Sequence, residues 1–204
     1  MKNFTFIRDF RALYAEAVAR YAAGQRNAAQ MFSPAEHAFL SANGIAAQHL
    51  YDYAEDDRNY GGPGIDHAVA IELVRRDYFL NVQHGRASTD VLDVSTMPSK
   101  SETVSGIAWL PRLLPKARAK LRGELPASLM FGCGGDRAFF EEHDILPSEF
   151  LALRCRHEND DAAVVAWVVR RKKWGAVSDP PSVRILTTRK GGSETRPALR
   201  SLTR

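Results

Sequence analysis

The stretch that decides the fold occurs once in each half of the chain and reads AFLSANGIAAQHLY at residues 38–51 and AFFEEHDILPSEFL at residues 138–151. Both copies begin with Ala-Phe, place Ile at the eighth position and end on two large apolar residues. Upstream, further residues match at the same offset of 100 positions: Leu13, Ala17 and Ala19 with Leu113, Ala117 and Ala119. Downstream, the offset is 95 positions, and the matches are Asp66, Ala68, Val69 and Val74-Arg75-Arg76 with Asp161, Ala163, Val164 and Val169-Arg170-Arg171. Such a repeat predicts two similar helical modules that pack around a shared cleft.

Local signals predict where the first of these helices begins and ends. The run Ser33-Pro34-Ala35-Glu36 has the pattern of a capping box, with Ser at the N-cap, Pro at the first helical position and Glu two positions later. Asn43-Gly44 is expected to end the helix at Ala42, because Gly readily adopts the left-handed conformation. Asp144 takes the place of Gly44 in the second copy, and Asp tolerates that conformation better than most residues.

The fold class is therefore predicted to be mostly α, with two tandem, internally repeated helical modules and a basic, disordered C-terminal tail. Apolar spacing and breaker residues predict helices at these places: 6–23, 34–42, 47–57, 65–80, 107–122, 137–143, 147–157 and 160–173. We divide the chain into four segments: a first module at 1–84, a linker at 85–105, a second module at 106–174, and a tail at 175–204, which lacks a periodic apolar pattern.

Charge and cysteine content limit the class of protein. The net charge of +4 comes from the end of the chain, because ten Lys and Arg face only two acids from Arg170 onward. The rest carries 18 basic and 22 acidic residues. No apolar run is long enough to span a bilayer, and the N-terminus lacks the pattern of a signal peptide. The two cysteines form no Cys-x-x-Cys motif, so a reducing cytoplasm is the expected location.

The second module also carries residues that resemble those of a known family. They are Trp109-Leu110-Pro111-Arg112 and Lys116-Ala117-Arg118, then Phe131-Gly132-Cys133 with Asp136 and Phe139-Phe140, and finally Asp161 with Ala166-Trp167-Val168. Over roughly residues 106–171 this pattern resembles the bacterial domain of unknown function 5069 family. Gly134-Gly135 departs from the family pattern, which often has Pro and an aliphatic residue there. The resemblance implies no activity, so candidate site residues are chosen by their chemistry.

Cys133 is the first candidate for a catalytic residue. It lies between glycines, shortly before a predicted helix with Asp136 as its N-cap, and Arg137 follows. Helix amides and a guanidinium favour the thiolate that a nucleophilic or redox cysteine requires, whereas the Asp136 charge opposes it. Asp136 and His143 are the candidates for proton transfer. The alternative is that Cys133 is a small buried apolar residue, as the equivalent Ser33 indicates.

The cations of the two modules are candidates for binding an anion. Arg75 and Arg76 in the first module, and Arg112, Lys116 and Arg118 in the second, would face one another if the modules enclose a cleft. Arg side chains bind carboxylates and phosphates through two parallel hydrogen bonds. The alternative is that these residues are solvated or pair with surface acids.

A metal site is the weaker interpretation of the acidic helix in the first module. His49, Asp52 and Asp56 share one helical face, with His37 as a further candidate ligand. The second copy has Glu149, Ala152 and Arg156 at the three helical positions, so the repeat does not preserve the set. We therefore predict no metal and no cofactor.

Three functional hypotheses remain open. We favour a binding or adaptor module that takes a small anionic ligand or a protein partner in its cleft, because no nucleophile, base and orienting group occur at a recognisable spacing. The second hypothesis is a small enzyme acting on an anionic metabolite through Cys133. The third is nucleic-acid association through residues 170–204, whose excess of cations would neutralise phosphates. The modules could also exchange between two copies, which leaves a homodimer among the alternatives.

Overall fold

The chain is mostly α-helical, as predicted. A computed structural model describes the backbone of residues 2–175 and the side chains of residues 2–171. The elements in chain order are α1 Asn3–Ala22, α2 Ala28–Met31, α3 Pro34–Ala42, α4 Ala47–Tyr60, α5 Ile65–Asn81, a 3-10 turn Val94–Thr96, β1 Thr103–Val104, β2 Ile107–Ala108, α6 Leu110–Arg122, α7 Gly134–Glu142, α8 Pro147–Arg156 and α9 Asp161–Gly175. None of the described helices is long and apolar enough to cross a membrane. The predicted tail lies, apart from Gly175, outside the described residues.

The capping box of α3 and the turns that follow α3 and α7 are confirmed. The Ser33 hydroxyl accepts a hydrogen bond from the Glu36 amide, and the Glu36 carboxylate accepts one from the Ser33 amide at 2.7 Å. This reciprocal pair satisfies two amides that a helix start leaves free. Helix α3 ends at Ala42, and Gly44 follows with a φ of 71°. Asp144 has a φ of 50° after α7, so both copies of the turn use the left-handed conformation.

The start of α6 differs from the expectation, and the segment predicted as a linker contains two short regular elements. Residues 85–105 contain the 3-10 turn and β1, and β1 pairs with β2 in an antiparallel hairpin. The helix expected from Ile107 therefore begins at Leu110, because Ile107 and Ala108 form the second strand. Trp109 joins the hairpin to α6 with a φ of 66°, a left-handed conformation that a bulky residue rarely adopts.

Helix α5 connects two hydrophobic cores. The first core lies among α1, α3, α4 and the start of α5, and buries among others Phe6, Phe10, Leu13, Leu40, Leu50, Tyr53, Ala68 and Val69. The second lies among α5 to α9, and includes Ile71, Tyr78, Leu110, Leu113, Leu121, Phe139, Phe150, Leu151 and Val168. Helix α5 packs against α1 of the first half and against α6 and α8 of the second half. It therefore connects the two halves of the chain.

Candidate functional site

A cavity of about 410 Å³ lies where α4 of the first half meets the hairpin, α6 and the start of α7. We call it the α4–α6 cavity. Residues from five places along the chain line it: Asp52, Glu55 and Asp56; Lys100; Trp109, Arg112 and Lys116; Ala127, Ser128, Leu129 and Met130; Cys133 and Gly135. Among the residues predicted from sequence as site residues, Cys133, Arg112 and Lys116 line this cavity together.

A buried ion pair forms part of the wall of the α4–α6 cavity. Lys116 Nζ lies 2.9 Å from both carboxylate oxygens of Asp136, and the two side chains are 2% and 0% exposed. Asp136 also accepts hydrogen bonds from Trp109 Nε1 at 2.9 Å and from the Gly132 amide at 2.8 Å. A buried carboxylate needs such a full set of donors, because water cannot reach it.

The sequence prediction that Asp136 is the N-cap of α7 is wrong. The helix begins three residues earlier than expected, at Gly134, and Cys133 occupies the N-cap position without making a side-chain capping bond. Asp136 lies in the first turn and faces inward. The carboxylate is directed away from the helix amides because Lys116 and Trp109 supply stronger and better-buried donors.

Trp109 is held against the start of α7 by two features. Its indole Nε1 donates to Asp136, and its ring lies against the backbone of Gly135. A Cβ at Gly135 would lie 2.3 Å from Trp109 Cζ2, a distance that no side chain permits. The left-handed Trp109 backbone is thus maintained by tertiary contacts, as is common for strained residues at binding and catalytic sites.

Cys133 places a thiol beside an ammonium in the α4–α6 cavity. Lys116 Nζ donates to Cys133 Sγ at 3.4 Å, and Cys133 is partly exposed. Because the sulfur makes no capping bond to α7, it can contact a molecule that occupies the cavity. This arrangement is compatible with a nucleophilic or redox thiol and also with a thiol that only lines a binding site.

The first half contributes an acidic wall, of which the sequence analysis considered Asp52 and Asp56 as metal ligands and the surface acids only as partners of the cations. Asp52, Glu55 and Asp56 share one face of α4, and Asp52 accepts a hydrogen bond from Gln48 at 2.7 Å. Burial raises the pKa of Asp52 to about 6, and the neighbouring Glu55 and Asp56 charges act in the same direction. Glu55 accepts from the Tyr21 hydroxyl at 2.9 Å, and Asp56 forms an ion pair with Arg137.

Two cations face the α4–α6 cavity without an acidic partner among the described residues. Arg112 Nη1 donates to the Pro98 carbonyl at 2.9 Å, which ties α6 to the loop that carries Lys100. Neither Arg112 nor Lys100 forms an ion pair within residues 2–171. Their positive charges are therefore balanced neither by the acidic wall nor by Asp136.

Three of the predicted anion-binding cations lie elsewhere. Arg75 is buried beside Gly123 and donates to Gln83 at 2.8 Å, and burial lowers its pKa to about 10. Arg76 donates to Asn43 at 2.7 Å and to Asn3 at 2.6 Å.

Arg118 and His143 are also separated from the α4–α6 cavity. Arg118 donates to the Glu158 carbonyl at 3.0 Å and pairs with Asp161 at 2.6 Å. His143 lies at the opposite end of α7 from Cys133, where its ring stacks on Phe139 at 4.3 Å and its Nδ1 donates to the Phe139 carbonyl. A role for His143 in proton transfer to Cys133 therefore has no geometric support.

A second buried polar cluster, missed by the sequence analysis, joins α4, α5 and α6. Lys120 Nζ lies 2.5 Å from Glu72 and 2.9 Å from His49 Nδ1, and the Tyr53 hydroxyl donates to Glu72 at 2.8 Å. Burial, together with the Lys120 and Arg75 charges, lowers the pKa of His49 well below its usual value. His49 is therefore neutral, and its Nδ1 accepts a hydrogen bond from the Lys120 ammonium, which accounts for its position without a metal.

The remaining site hypotheses concern metal and nucleic acid. Within the described part of the chain, no group of three His, Cys, Asp or Glu side chains is arranged to hold a metal ion. Nucleic-acid association was predicted for residues 170–204, and nearly all of that segment lies outside the described residues. That hypothesis stays a prediction.

Comparisons with known proteins agree with the resemblance in the second half. No curated protein and no solved structure matches the chain. Residues 94–179 match the model of a family described as Domain of unknown function (DUF5069). The match includes Lys100, Trp109, Arg112, Lys116 and Cys133 of the α4–α6 cavity, but not the acidic wall on α4. Over residues 94–179, the chain is thus similar to the DUF5069 family.

Proposed function

We propose that this protein is a binding module whose α4–α6 cavity holds a small ligand with an anionic group. The observation that carries this proposal is the pair of cavity cations, Arg112 and Lys100, that lack an acidic partner in the described structure. The Arg112 guanidinium has further N–H groups beyond the one bound to Pro98, and a carboxylate or phosphate matches their geometry. Lys116 is less suited to this role, because Asp136 already neutralises it.

We also propose that the two halves are related modules and that the α4–α6 cavity is the cleft between them. Helices α3 and α7 begin at residues 34 and 134, and α4 and α8 begin at 47 and 147. In each half a cation from the opening helix pairs with the acid in the first turn of the next matched helix. These pairs are Arg20 with Glu36, and Lys116 with Asp136. The agreement of helix starts and ion pairs supports a common origin of the halves.

The differences between the proposed modules support a site in the second. Ser33 uses its hydroxyl to cap α3, whereas Cys133 at the equivalent N-cap makes no capping bond and lines the α4–α6 cavity. Glu36 completes a capping box, whereas Asp136 orients Lys116 and Trp109 instead. The two positions that stabilise the start of α3 in the first half thus have a different role in the second half. There, one lines the α4–α6 cavity and the other holds two of its lining residues.

The proposal is tested by ligand-induced stabilisation. The melting temperature is measured with inorganic phosphate, acetate, succinate and the twenty amino acids, each at increasing concentration. A ligand that binds only the folded state stabilises it by about 2.7 kcal/mol at a hundred times its dissociation constant. We expect at least one compound to raise the melting temperature of the native protein and of Arg86→Gln, and to fail with Arg112→Gln. Arg86 is exposed and outside the cavity, so it controls for the loss of one charge.

A catalytic role for Cys133 is the second candidate function. The observation that favours it is the 3.4 Å distance between Lys116 Nζ and Cys133 Sγ inside the α4–α6 cavity. In that case Cys133 is the nucleophile or redox group, and Arg112 holds the anionic part of the substrate. Conversion of any compound found in the stabilisation screen is measured with the native protein and with Cys133→Ser. Equal conversion by both proteins would remove the thiol from the mechanism.

The cytoplasm remains our proposed location. Both cysteines are free thiols, which fits a reducing compartment.

A further inference from the structure

We propose that the ligand of the α4–α6 cavity is a small zwitterion, whose cationic group faces Asp52 and Glu55 and whose anionic group faces Arg112 and Lys100. This inference rests on the proposed function and adds a second charged group to the ligand. It identifies an amino-acid-like compound as the chemical class. Its support is the distribution of charge around the cavity.

The first step is to separate the balanced charges from the others. Six charged side chains line the α4–α6 cavity. Lys116 is neutralised by Asp136, and Asp56 by Arg137. The other four have no ion-pair partner within the described residues: Asp52 and Glu55 on α4, with Arg112 on α6 and Lys100 on the loop before the hairpin. The cavity therefore carries two negative charges on one wall and two positive charges on the other.

The acidic wall is electrostatically suited to a cation. Asp52, Glu55 and Asp56 are three and four residues apart on one helix, a spacing at which like charges repel. Besides these neighbours, Asp52 senses the Lys120 ammonium from α6 and the amide of Gln48. The pKa of Asp52 nevertheless rises to about 6, so these groups do not compensate the loss of water. A ligand ammonium at this wall would supply the missing positive charge.

The basic wall and Trp109 complete the complementarity. Arg112 is fixed by Pro98 and offers further donors to a carboxylate, with Lys100 on the same loop as Pro98. The Trp109 ring also lines the cavity, where the contacts with Asp136 and Gly135 hold it in place, and it presents an apolar surface. A ring in this position contacts the carbon chain that joins the two charged groups of a zwitterion, and attracts a nearby ammonium.

A ligand with a single charge would be repelled by the charged residues of one wall. A simple anion would enter beside the charges of Asp52 and Glu55, and a simple cation beside those of Arg112 and Lys100. Specificity often arises from such repulsion of the wrong partner as well as from attraction of the right one. Discrimination between singly and doubly charged ligands is therefore the property to measure.

The test is isothermal titration calorimetry with the twenty amino acids and the linear ω-amino acids from β-alanine to 6-aminohexanoate. The best-binding compound is compared with its N-acetyl derivative, which lacks the cation, and with its carboxamide, which lacks the anion. We expect each derivative to bind at least tenfold more weakly. Glu55→Gln should weaken binding of the zwitterion at least tenfold and should leave binding of the N-acetyl derivative equal or stronger, because a repelling negative charge is lost. Arg112→Gln should weaken binding of the zwitterion at least tenfold and should leave binding of the carboxamide equal or stronger, because a repelling positive charge is lost.

The outcomes separate this inference from the proposed function. If the N-acetyl derivative or succinate binds as tightly as the zwitterion, the ligand is a simple anion, so the inference is wrong while the proposed function stands. If the amino acids, phosphate and simple carboxylates all fail to bind, both are wrong. Because Glu55→Gln changes only a half-buried carboxylate, its unliganded melting temperature should remain within a few degrees of the native value and thereby exclude misfolding.

Discussion

Two lysines that lie one turn apart on α6 are buried, and each forms an ion pair with a buried carboxylate. Lys116 meets Asp136 in the wall of the α4–α6 cavity, and Lys120 meets Glu72 between the two halves of the chain. Burial of a charge is unfavourable unless a partner and further hydrogen bonds replace its water. Asp136 has such donors in Trp109 and Gly132. Glu72 has the Tyr53 hydroxyl on the oxygen that also faces Lys120, whereas its other oxygen has no hydrogen-bond partner among the described residues.

Lys116→Met should destabilise the protein strongly. The substitution keeps the length of the side chain but leaves Asp136 buried without its ammonium, which costs about 3–5 kcal/mol. Urea denaturation measures the free energy of unfolding. The control is Lys100→Met, an exposed lysine at the same cavity, which should change it by less than about 0.5 kcal/mol. Similar values for the two variants would mean that the Lys116–Asp136 pair does not contribute as the geometry implies.

Asp52→Asn should stabilise the protein at neutral pH. The pKa of Asp52 rises to about 6 in the folded state, against about 3.9 in an unfolded chain, so the folded state binds more protons between these values. Stability therefore falls as the pH rises from about 4 to 6, and the loss persists above that range. The variant should exceed the native free energy of unfolding by about 1–3 kcal/mol at pH 8 and match it near pH 4.

Asp90→Asn controls for the change of net charge, because Asp90 lies in an exposed loop. It should show no comparable gain at pH 8. A constant difference between native protein and Asp52→Asn across the pH range would contradict the titration of Asp52.

Cys133 should react faster with iodoacetamide than Cys155 at pH 7.5. Cys133 lines the α4–α6 cavity, whereas Cys155 packs against the second core. Burial, together with Asp77 and Glu158, raises the pKa of Cys155 and reduces its thiolate fraction. The Cys133→Ser and Cys155→Ser variants assign each rate. Equal rates, or a faster Cys155, would argue against an accessible thiol in the cavity and against the catalytic alternative.

At the scale of elements, the start of α7 and the end of the hairpin position one another. Gly134 and Gly135 form the first turn of α7, and the indole of Trp109 fills the space beside Gly135. The Trp109 backbone adopts its left-handed conformation at the junction between β2 and α6. The geometry of this wall thus depends on a contact between two elements that are 25 residues apart or more in sequence.

Gly135→Ala should destabilise the protein by about 1–3 kcal/mol, because the added methyl group would displace the Trp109 ring. Gly134→Ala is the matched control in the same helical turn. Its Cβ would meet Arg137 only at 3.9 Å, so the variant should be neutral or slightly more stable. Thermal unfolding of both variants gives the comparison. Equal effects would show that Trp109 does not occupy this space in solution.

At the scale of the whole molecule, α5 belongs to both cores. Ala68 and Val69 pack into the first core, while Ile71 and Tyr78 pack into the second. The buried pair of Lys120 and Glu72 adds a polar connection between α5 and α6. Separation of the halves would expose these apolar surfaces to water and would break the Lys120–Glu72 ion pair.

The two halves should therefore unfold in one transition. The chain offers separate probes, because its six tyrosines lie between residues 14 and 78 and its three tryptophans between residues 109 and 174. Tyrosine absorbance and tryptophan fluorescence should give coincident urea transitions. Two distinct midpoints would show that the halves fold independently and that α5 does not couple them.

Local signals in the sequence were enough to predict the helices other than α2, although they placed the start of α7 three residues too late. Apolar spacing, the capping box at Ser33 and the left-handed turns at Gly44 and Asp144 are local features, and the structure has each of them. A local pattern suffices here because a helix is stabilised by contacts within a few residues and by one apolar face. The start of α6 was misplaced, since hairpin pairing between β1 and β2 overrides the helical pattern at Ile107.

Packing between distant segments selects which charged residues form the candidate site. Sequence reasoning selected Arg75, Arg76 and Arg118 together with Arg112 and Lys116, because all are cations on predicted helices. Folding buries Arg75, pairs Arg118 with Asp161 and brings Arg112 and Lys116 to the α4–α6 cavity. It also brings the acids of α4 to the same cavity as Arg112, from about sixty residues away. The physical reason is that the residue type sets the sign of a charge, whereas the burial and the partners of that charge depend on packing between distant segments.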